Sequence, residues 1–357
     1  MSMEVYPADL STRYEITHAI SIQMSRYYND TGKIQIVVAA NDYNINAIKE
    51  NSIVYDTVRG TTYLLVDVKF DTVSNRITAN GYTTDCLLDK RVVAAKKQIT
   101  VIETGVYGII NDNLRGLSIS TAAVKGLPET WQPDDPDTEE NESEVYGGQV
   151  LKVITPILEY GELGRRTNWN PSTLSLQFEI YKGQDLTTGI HAIVFAEEQG
   201  TCTELVINED ISNFKNFAYC AYTTKNSSTK EDVPQLVTIG TAVGDDRYEL
   251  WCNTSISQEE NETEQKTKER AISYGQLELG KWINRNSFSV VVDASELGVL
   301  YDVGDIVACS SVRFGVRFNA RITGVTYKMD NTGEQTSIQL GDPILTALGE
   351  LKLHGNN

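Results

Sequence analysis

Residues 77–93 read ITANGYTTDCLLDKRVV, and their periodicity changes halfway along the stretch. Apolar and polar side chains alternate up to Tyr82, as in a strand with one buried face. Paired leucines then follow, with Asp85 before them and the cations Lys90 and Arg91 after them. Acidic residues near the start and basic residues near the end favour a helix, so one or two helical turns are predicted after the strand. We expect these turns to close a small β domain.

Two predicted hairpins precede this closing helix. In the first, Ala19–Arg26 and Lys33–Ala40 alternate on either side of Asn29-Asp30-Thr31-Gly32. Asn and Asp bond to their own backbone and Gly accepts a positive φ, so the connection suits a tight return. In the second hairpin, Thr62–Phe70 and Asn75–Tyr82 are the alternating strands. The first hundred residues therefore predict a compact β unit.

Apolar residues at helical spacing mark the segment that follows. They predict one amphipathic helix over Val101–Leu114. A second helix is predicted over Val150–Leu158, bent or restarted at Pro156 and ending near Gly161–Gly164. We assign residues 101–170 to a helical connector.

An acidic segment, residues 129–144, interrupts the connector. It contains eight carboxylates, two prolines and no basic residue. Such a segment buries little apolar surface and its charges repel one another, so it is predicted to be a solvated loop. The alternative is a calcium site, although the glycine and the spacing of an EF-hand loop are missing. Its hard oxygen ligands would come from Asp134, Asp135, Asp137 and Glu139.

Short strand patterns dominate the rest of the chain. They lie at Leu174–Ile180, Ala192–Ala196, Leu205–Ile207, Phe217–Tyr222, Leu236–Ile239, Tyr248–Cys252, Ser287–Val292, Gly304–Cys309, Phe318–Tyr327 and Gln335–Leu340. Residues 182–185, with the sequence KGQD, predict a turn. Residues 258–270 predict the polar first half of a helix, supported by Glu262–Lys266 and Glu264–Lys268 pairs four positions apart.

These patterns predict an α+β fold that is rich in strands. We divide the chain into an N-terminal β domain (1–100), the helical connector (101–170), an inserted β-rich region that ends in a helix (171–285) and a C-terminal β domain (286–357). A chain of 357 residues is long enough for two or three such domains.

The charge balance excludes one class of function. With 31 Lys and Arg against 49 Asp and Glu, the net charge is −18. This field repels nucleic-acid phosphates and anionic lipids, so a basic capture surface is excluded. The first residues lack the basic start and apolar core of a signal peptide, and no apolar run approaches the length of a membrane span. The sequence predicts a soluble protein made in the cytoplasm.

No motif in the sequence indicates catalysis or metal binding. The five cysteines are odd in number and far apart, so we expect buried apolar residues rather than disulfides or zinc ligands. Residues 275–282 read GQLELGKW and lack the Ser or Thr of a phosphate-binding loop. We therefore name no catalytic, cofactor-binding or metal-ligating residue and predict that the protein is not an enzyme. A hydrolase whose carboxylates meet only in space remains an alternative.

Tyrosine is more than twice as frequent as phenylalanine in this chain. The 18 tyrosines against 8 phenylalanines are typical either of wet, amphipathic interfaces or of ordinary strand composition. Exposed tyrosine rings also stack against sugars. A carbohydrate-binding adhesin of a tail or cell surface is therefore kept as an alternative function.

Three stretches, in this order, resemble the hub or tail-associated proteins at the distal end of phage tails, a family of Gram-positive siphophages and prophages. They are residues 77–93, then Phe178–Asp185 with Asp210–Tyr219, then Tyr301–Val307 with Ala320–Val325 and Gly341–Pro343. The first matches the family's strand, glycine, short helix and L-L-D-R-R pattern. Tyr82 stands where the family usually has an arginine, and Lys90 replaces the first arginine of the pair.

The resemblance implies a structural virion protein without enzymatic activity or cofactor. It implies two small β-barrel-like domains per subunit, a homotrimeric ring of pseudo-sixfold symmetry around the DNA channel, and a position at the tail tip or baseplate. The implied partners are the distal tail protein, tail tube or tape measure on one side and receptor-binding or fibre proteins on the other. Assembly would take place in the host cytoplasm. An acidic channel wall suits DNA passage, and the net charge of −18 permits one without locating it.

Overall fold

The computed structural model divides the chain into two compact units. Unit 1 takes the described residues of 1–206 and 288–357, and unit 2 takes those of 207–287. The described residues are 3–16, 18–131, 144–209, 214–226, 229, 231–259, 262–280, 282, 286–292 and 296–341. The four-segment division derived from the sequence stays a prediction.

Most elements of the chain are strands. The first are β1 (Met3–Tyr6), β2 (Tyr14–Ile16), β3 (Ser21–Tyr27), β4 (Lys33–Ala39), α1 (Asp42–Ala47), β5 (Ile53–Asp56), β6 (Thr61–Asp71) and β7 (Arg76–Thr83), followed by a 3-10 helix at Thr84–Lys90. Next come β8 (Lys97–Gln98), α2 (Ile102–Asn113), β9 (Ile119–Thr121), β10 (Glu144–Val145), α3 (Val150–Tyr160), β11 (Gly164–Asn170), β12 (Ser175–Tyr181), β13 (Val194–Phe195) and β14 (Glu204–Glu209). The last are β15 (Phe217–Lys225), β16 (Asp232–Ile239), β17 (Glu249–Ser257), α4 (Glu264–Gly280), β18 (Asn286–Val292), β19 (Ile306–Ser311), β20 (Val316–Asp330) and β21 (Gly333–Leu340).

One large sheet joins the two ends of the chain. Its described strands follow the order β14-β18-β21-β20-β3-β4-β7-β6-β5-β1-β2, with β19 paired to β20 and β13 paired to β19. Tyr327 of β20 lies opposite Met24 of β3 in an antiparallel pair, so early and late strands share one ladder. Among the described pairings this ladder is open and does not close into a barrel.

The predicted hairpins and short helices are confirmed. β3 pairs with β4, with Gln23 opposite Gln35, and β6 pairs with β7, with Lys69 opposite Thr78. The sequence after β7 forms the expected short helix, as a 3-10 helix, and α2 lies within the predicted Val101–Leu114. These elements rest on local alternation and turn chemistry, which is why the sequence reveals them.

The described residues of unit 1 include two large hydrophobic cores. One face of the large sheet buries the residues Met3, Ile22, Met24, Ile34, Ile36, Val38, Leu65, Ile77 and Tyr327. The second core lies among α2, α3, β11 and β12 and includes Ile102, Ile109, Ile154, Leu158 and Phe178. Among the described residues, no helix is both long enough and apolar enough to cross a membrane.

The structure changes two expectations about helices. α3 is one continuous helix through Pro156, so of the two alternatives, a bend or a restart, the restart is wrong. Its apolar face packs into the second core. α4 begins at Glu264, so Glu262 lies before the helix rather than on its surface. The Glu262 carboxylate accepts hydrogen bonds from Arg270, at 3.0 Å, and from Thr267, instead of pairing with Lys266.

The acidic segment is described only at its two ends. Residues 132–143, and with them the four proposed calcium ligands, lie outside the described residues. Glu129 is not solvated as expected, because its side chain is only 14% exposed and its Oε1 accepts a 2.6 Å hydrogen bond from Lys182 Nζ. At the other end, the backbone of Glu144 pairs with Gln98.

Candidate functional site: a junction of the sequence motifs

The second and third sequence motifs meet in the structure. The predicted turn at residues 182–185 is wrong, because this segment runs extended beside the start of β19. Gln184 donates its backbone N–H to Asp305 Oδ1 at 2.8 Å, and Ile306 donates its own to the Gln184 carbonyl at 2.8 Å. Asp185 forms a parallel bridge with Ile306. Motif residues far apart in sequence thus build one backbone contact.

Two glycines allow this close approach. A Cβ on Gly183 would lie 1.9 Å from the Gly304 carbonyl oxygen, closer than any real Cβ contact. Gly304 itself has a φ of +102°, a conformation that side chains disfavour. The Lys-Gly-Gln-Asp composition resembles a turn, but its glycine serves backbone packing instead.

Tyr28 lies at the centre of the junction. Its hydroxyl donates to the Glu162 carbonyl at 2.8 Å and accepts from the Gly183 backbone N–H at 3.3 Å. Its ring makes an edge-on contact with Tyr181, with centroids 5.3 Å apart, and fills the space beside Gly304. Burial raises the pKa of Tyr28, so the hydroxyl remains protonated and can donate at neutral pH. Tyr28 therefore connects its own segment after β3 to three others, which contain Glu162, Gly183 and Gly304.

Asp302 and Asp305 shape the loop that reaches this tyrosine. Asp305 Oδ2 accepts a 2.7 Å hydrogen bond from the Asp302 backbone N–H, and Asp302 forms an ion pair with Arg26 of β3. Burial is the main cause that raises the pKa of Asp305. Arg321 donates to the Gly304 carbonyl at 2.8 Å. These contacts tie the loop to β3 and β20.

The first sequence motif is tied to the same place by a buried ion pair. Arg165 donates from Nε to Asp85 Oδ2 at 2.9 Å, and the two side chains are only 2% and 5% exposed. Arg165 also donates to Thr155 Oγ1 at 2.5 Å, and its backbone N–H donates to the Tyr28 carbonyl at 2.9 Å. Asp85 accepts a further bond from Thr83. Part of each sequence motif therefore lies around Tyr28, whereas the Asp210–Tyr219 part of the second motif does not, because its described residues belong to unit 2.

Sequence reasoning missed the residues that connect the motifs. Tyr28, Arg26 and Arg165 belong to none of the three stretches, yet each contacts at least one of them. The available signal was weak: two tyrosines directly after an alternating strand, and two arginines after a glycine. The contacts at the junction hold chain segments together, so we interpret it as a structural feature.

Among the described residues, no group of three or more His, Cys, Asp or Glu side chains is placed to hold a metal ion.

A second feature lies on the face of the large sheet opposite its core. Asp67, Asn80, Gln35, Gln23 and Lys328 stand side by side on β6, β7, β4, β3 and β20, and we call them the polar row. Gln35 Nε2 donates to Asn80 Oδ1 at 3.0 Å, and Asn80 Nδ2 donates to Asp67 Oδ2 at 2.9 Å. One carboxylate and one ammonium give the row no excess charge. The five positions of the row are adapted to water, whereas Leu64, further along the same face, is buried in the second core.

Solved structures with the same arrangement define the class of this fold. The tail protein from Neisseria meningitidis MC58 is 10% identical, with a TM-score of 0.59 over 96% of each chain. The 43 kDa tail protein of prophage MuSo2 from Shewanella oneidensis is 12% identical, with a TM-score of 0.60 over 96% of this chain and 98% of that one. Prophage tail protein gp18 from Listeria monocytogenes EGD-e is 15% identical, with a TM-score of 0.53 over 99% and 98%. The fold is that of phage and prophage tail proteins.

The chain belongs to the family described as Siphovirus ReqiPepy6 Gp37-like protein, whose model matches residues 2–342. No curated protein sequence matches it. The predicted resemblance to phage tail proteins is therefore confirmed, and membership of this family implies a virion-associated protein. The absence of enzymatic activity stays a prediction.

Proposed function

We propose that this protein is the hub at the distal tip or baseplate of a phage tail. Three copies form a ring around the DNA channel, and each contributes two barrel-like β regions, one from the early strands and one from the late strands. The ring links the distal tail protein, tail tube or tape measure to receptor-binding or fibre proteins. The family match over residues 2–342 supports a tail role, and the polar row supports the channel.

The polar row is the observation that carries the proposal. A sheet that forms the wall of a water-filled channel needs an uncovered polar face opposite its core. A channel for DNA also needs a wall without surplus positive charge, because lysine and arginine bind phosphates and retard passage. The row meets both requirements. Its three central residues are uncharged amides, and the negative charge of Asp67 offsets the positive charge of Lys328.

The test places lysines on this face. In phage carrying Gln35→Lys and Asn80→Lys, we expect tails to assemble and DNA release after triggering to slow severalfold, with the delay shrinking at higher salt. The control is Asn46→Lys, at an exposed position on α1. Release at the wild-type rate from fully assembled double-variant particles contradicts the channel assignment.

A second candidate, a carbohydrate-binding adhesin, is favoured by one surface of unit 2. α4 packs on the face of the three-stranded sheet that carries Ala218 and Cys220. Trp251, 62% exposed, stands beside Tyr219 on the other face. Exposed aromatic rings of this kind stack on sugars. Binding of the isolated protein to a glycan array, abolished by Trp251→Ala and kept by Leu236→Ala on the same face, supports this function, and absence of binding excludes it.

A further inference from the structure

Unit 2 places two cysteines from distant parts of the sequence opposite each other. Cys220 of β15 and Cys252 of β17 are register partners in a parallel strand pair. Both are buried, with exposures of 0% and 4%. Neighbouring strands lie about 4.8 Å apart, within the Cα separation of roughly 4.4–6.8 Å that a disulfide spans. The backbone is therefore already in place for a bond between them.

The two side chains also point to the same side. Both belong to the core that the sheet of unit 2 forms with α4. α4 presents Gly275 at this point, where a Cβ would lie 2.3 Å from Cys220 Sγ. The helix thus leaves room for the sulfur atoms where any other residue would intrude.

We propose that Cys220 and Cys252 are an oxidative modification site, at which a peroxide installs a cross-strand disulfide. In the first step one thiol attacks hydrogen peroxide, which gives a sulfenic acid and releases one water. In the second step the other thiol displaces the sulfenic hydroxyl, which forms the S–S bond and releases a second water. The peroxide accepts the two electrons that the thiols lose.

The disulfide would link the edge strand β17 to the central strand β15 of the unit 2 sheet. Within the described strands, unit 2 has the order β16-β15-β17, so β17 pairs on one side only. A covalent bond to the central strand β15 closes the segment between the two cysteines and restricts the unfolded chain. Oxidation therefore protects β17 from local opening. This property is independent of whether the protein forms a ring.

The buried position predicts slow formation. Burial, aided by the adjacent Cys252, raises the pKa of Cys220 to about 12, so its reactive thiolate is scarce at neutral pH. The protein consequently stays reduced during brief exposure and becomes oxidised over long exposure. A small oxidant that enters a packed core suits this chemistry better than a bulky disulfide compound does.

The experiment treats the full chain, purified with a reductant that is then removed, with hydrogen peroxide. Free thiols are alkylated after unfolding, and peptides are analysed by mass spectrometry without reduction. We expect a peptide pair linked through Cys220 and Cys252, lighter by two hydrogens than the sum of its parts. Hydrogen exchange of the β15 and β17 amides should slow by roughly tenfold or more and recover after reduction.

Variants and a matched control separate this site from the other cysteines. Cys220→Ala and Cys252→Ala should each abolish the linked peptide and the slowed exchange, whereas Cys86→Ala, at a half-buried cysteine of unit 1, should keep both. Peptide mapping of the unaltered protein remains decisive if a variant fails to fold. Recovery of Cys220 and Cys252 as alkylated thiols, or as partners of other cysteines, after prolonged oxidation overturns the proposal.

Discussion

Arg165 and Asp85 are 80 positions apart, yet Arg165 Nε donates to Asp85 Oδ2 at 2.9 Å with both side chains almost fully buried. Asp85 belongs to the short helix that closes the early strands, and Arg165 belongs to β11. The ion pair therefore joins the end of the early strands to β11, two parts of unit 1 that are far apart in sequence. Since both charges are removed from water, loss of either partner leaves a buried unpaired charge and strongly destabilises the fold.

The first prediction concerns this ion pair. Arg165→Ala leaves the Asp85 carboxylate buried without its cation, and we expect the free energy of unfolding to fall by about 3–5 kcal/mol in urea titrations. The control is Arg13→Ala, which removes a pair to Glu4 in which Arg13 is 65% exposed, and should cost about 0–1 kcal/mol. Equal losses in the two variants contradict the account.

The second prediction compares two costs of replacing a glycine at the junction: the steric clash of an added Cβ and the strain of a positive φ. Gly304 and Gly189 have similar φ values of +102° and +91°, but only Gly304 has the Tyr28 ring within reach of a Cβ, at 2.5 Å. Gly189→Ala should cost about 1 kcal/mol, the ordinary penalty of the backbone conformation. Gly304→Ala should cost about 1–3 kcal/mol more, because the ring must move. Denaturant titration measures both, and indistinguishable costs rule out the packing role of Tyr28.

The third prediction is a pH dependence from Glu179. Burial raises the pKa of this carboxyl, but hydrogen bonds from Arg166, Lys125 and Asn168 outweigh burial and lower the pKa from 4.5 to about 2. Because the folded protein holds the proton less tightly than the unfolded chain, the contribution to stability is present above pH 4.5 and is lost as the pH falls toward 2. Glu179→Gln should therefore flatten the decline in unfolding free energy between about pH 5 and pH 2. A variant with the wild-type slope contradicts the assigned contacts.

The fourth prediction compares two buried threonines. Thr62 Oγ1 shares a 2.6 Å hydrogen bond with Thr84 Oγ1, whereas Thr167 Oγ1 has no hydrogen-bond partner among the described residues. Thr62→Val should cost about 1–3 kcal/mol, since it leaves a buried hydroxyl of Thr84 unpaired. Thr167→Val should be neutral or stabilising, because it removes a hydroxyl that is already unpaired. Thermal unfolding of the two variants checks the order, and the reverse order would exclude the assigned bonding.

The sequence revealed those parts of the fold that depend on neighbouring residues. The β3–β4 and β6–β7 hairpins and the helix α2 follow from alternation, turn residues and helical spacing. The pairing of β20 with β3 has no local signal, because an antiparallel partner can come from any part of the chain. For the same reason the sequence did not reveal Tyr28 as the centre of the junction. At Gly183 the turn-like composition of residues 182–185 led to a wrong prediction. The glycine instead allows a close backbone contact with Gly304, which is distant in sequence.

The mass of the purified protein in solution, measured by light scattering with and without its candidate tail neighbours, distinguishes a trimeric ring from a single chain. We expect a mass three times that of one chain, either for the protein alone or once the distal tail protein or tail tube is added. A mass that stays at one chain, whatever tail protein is present and at every concentration, would contradict the hub.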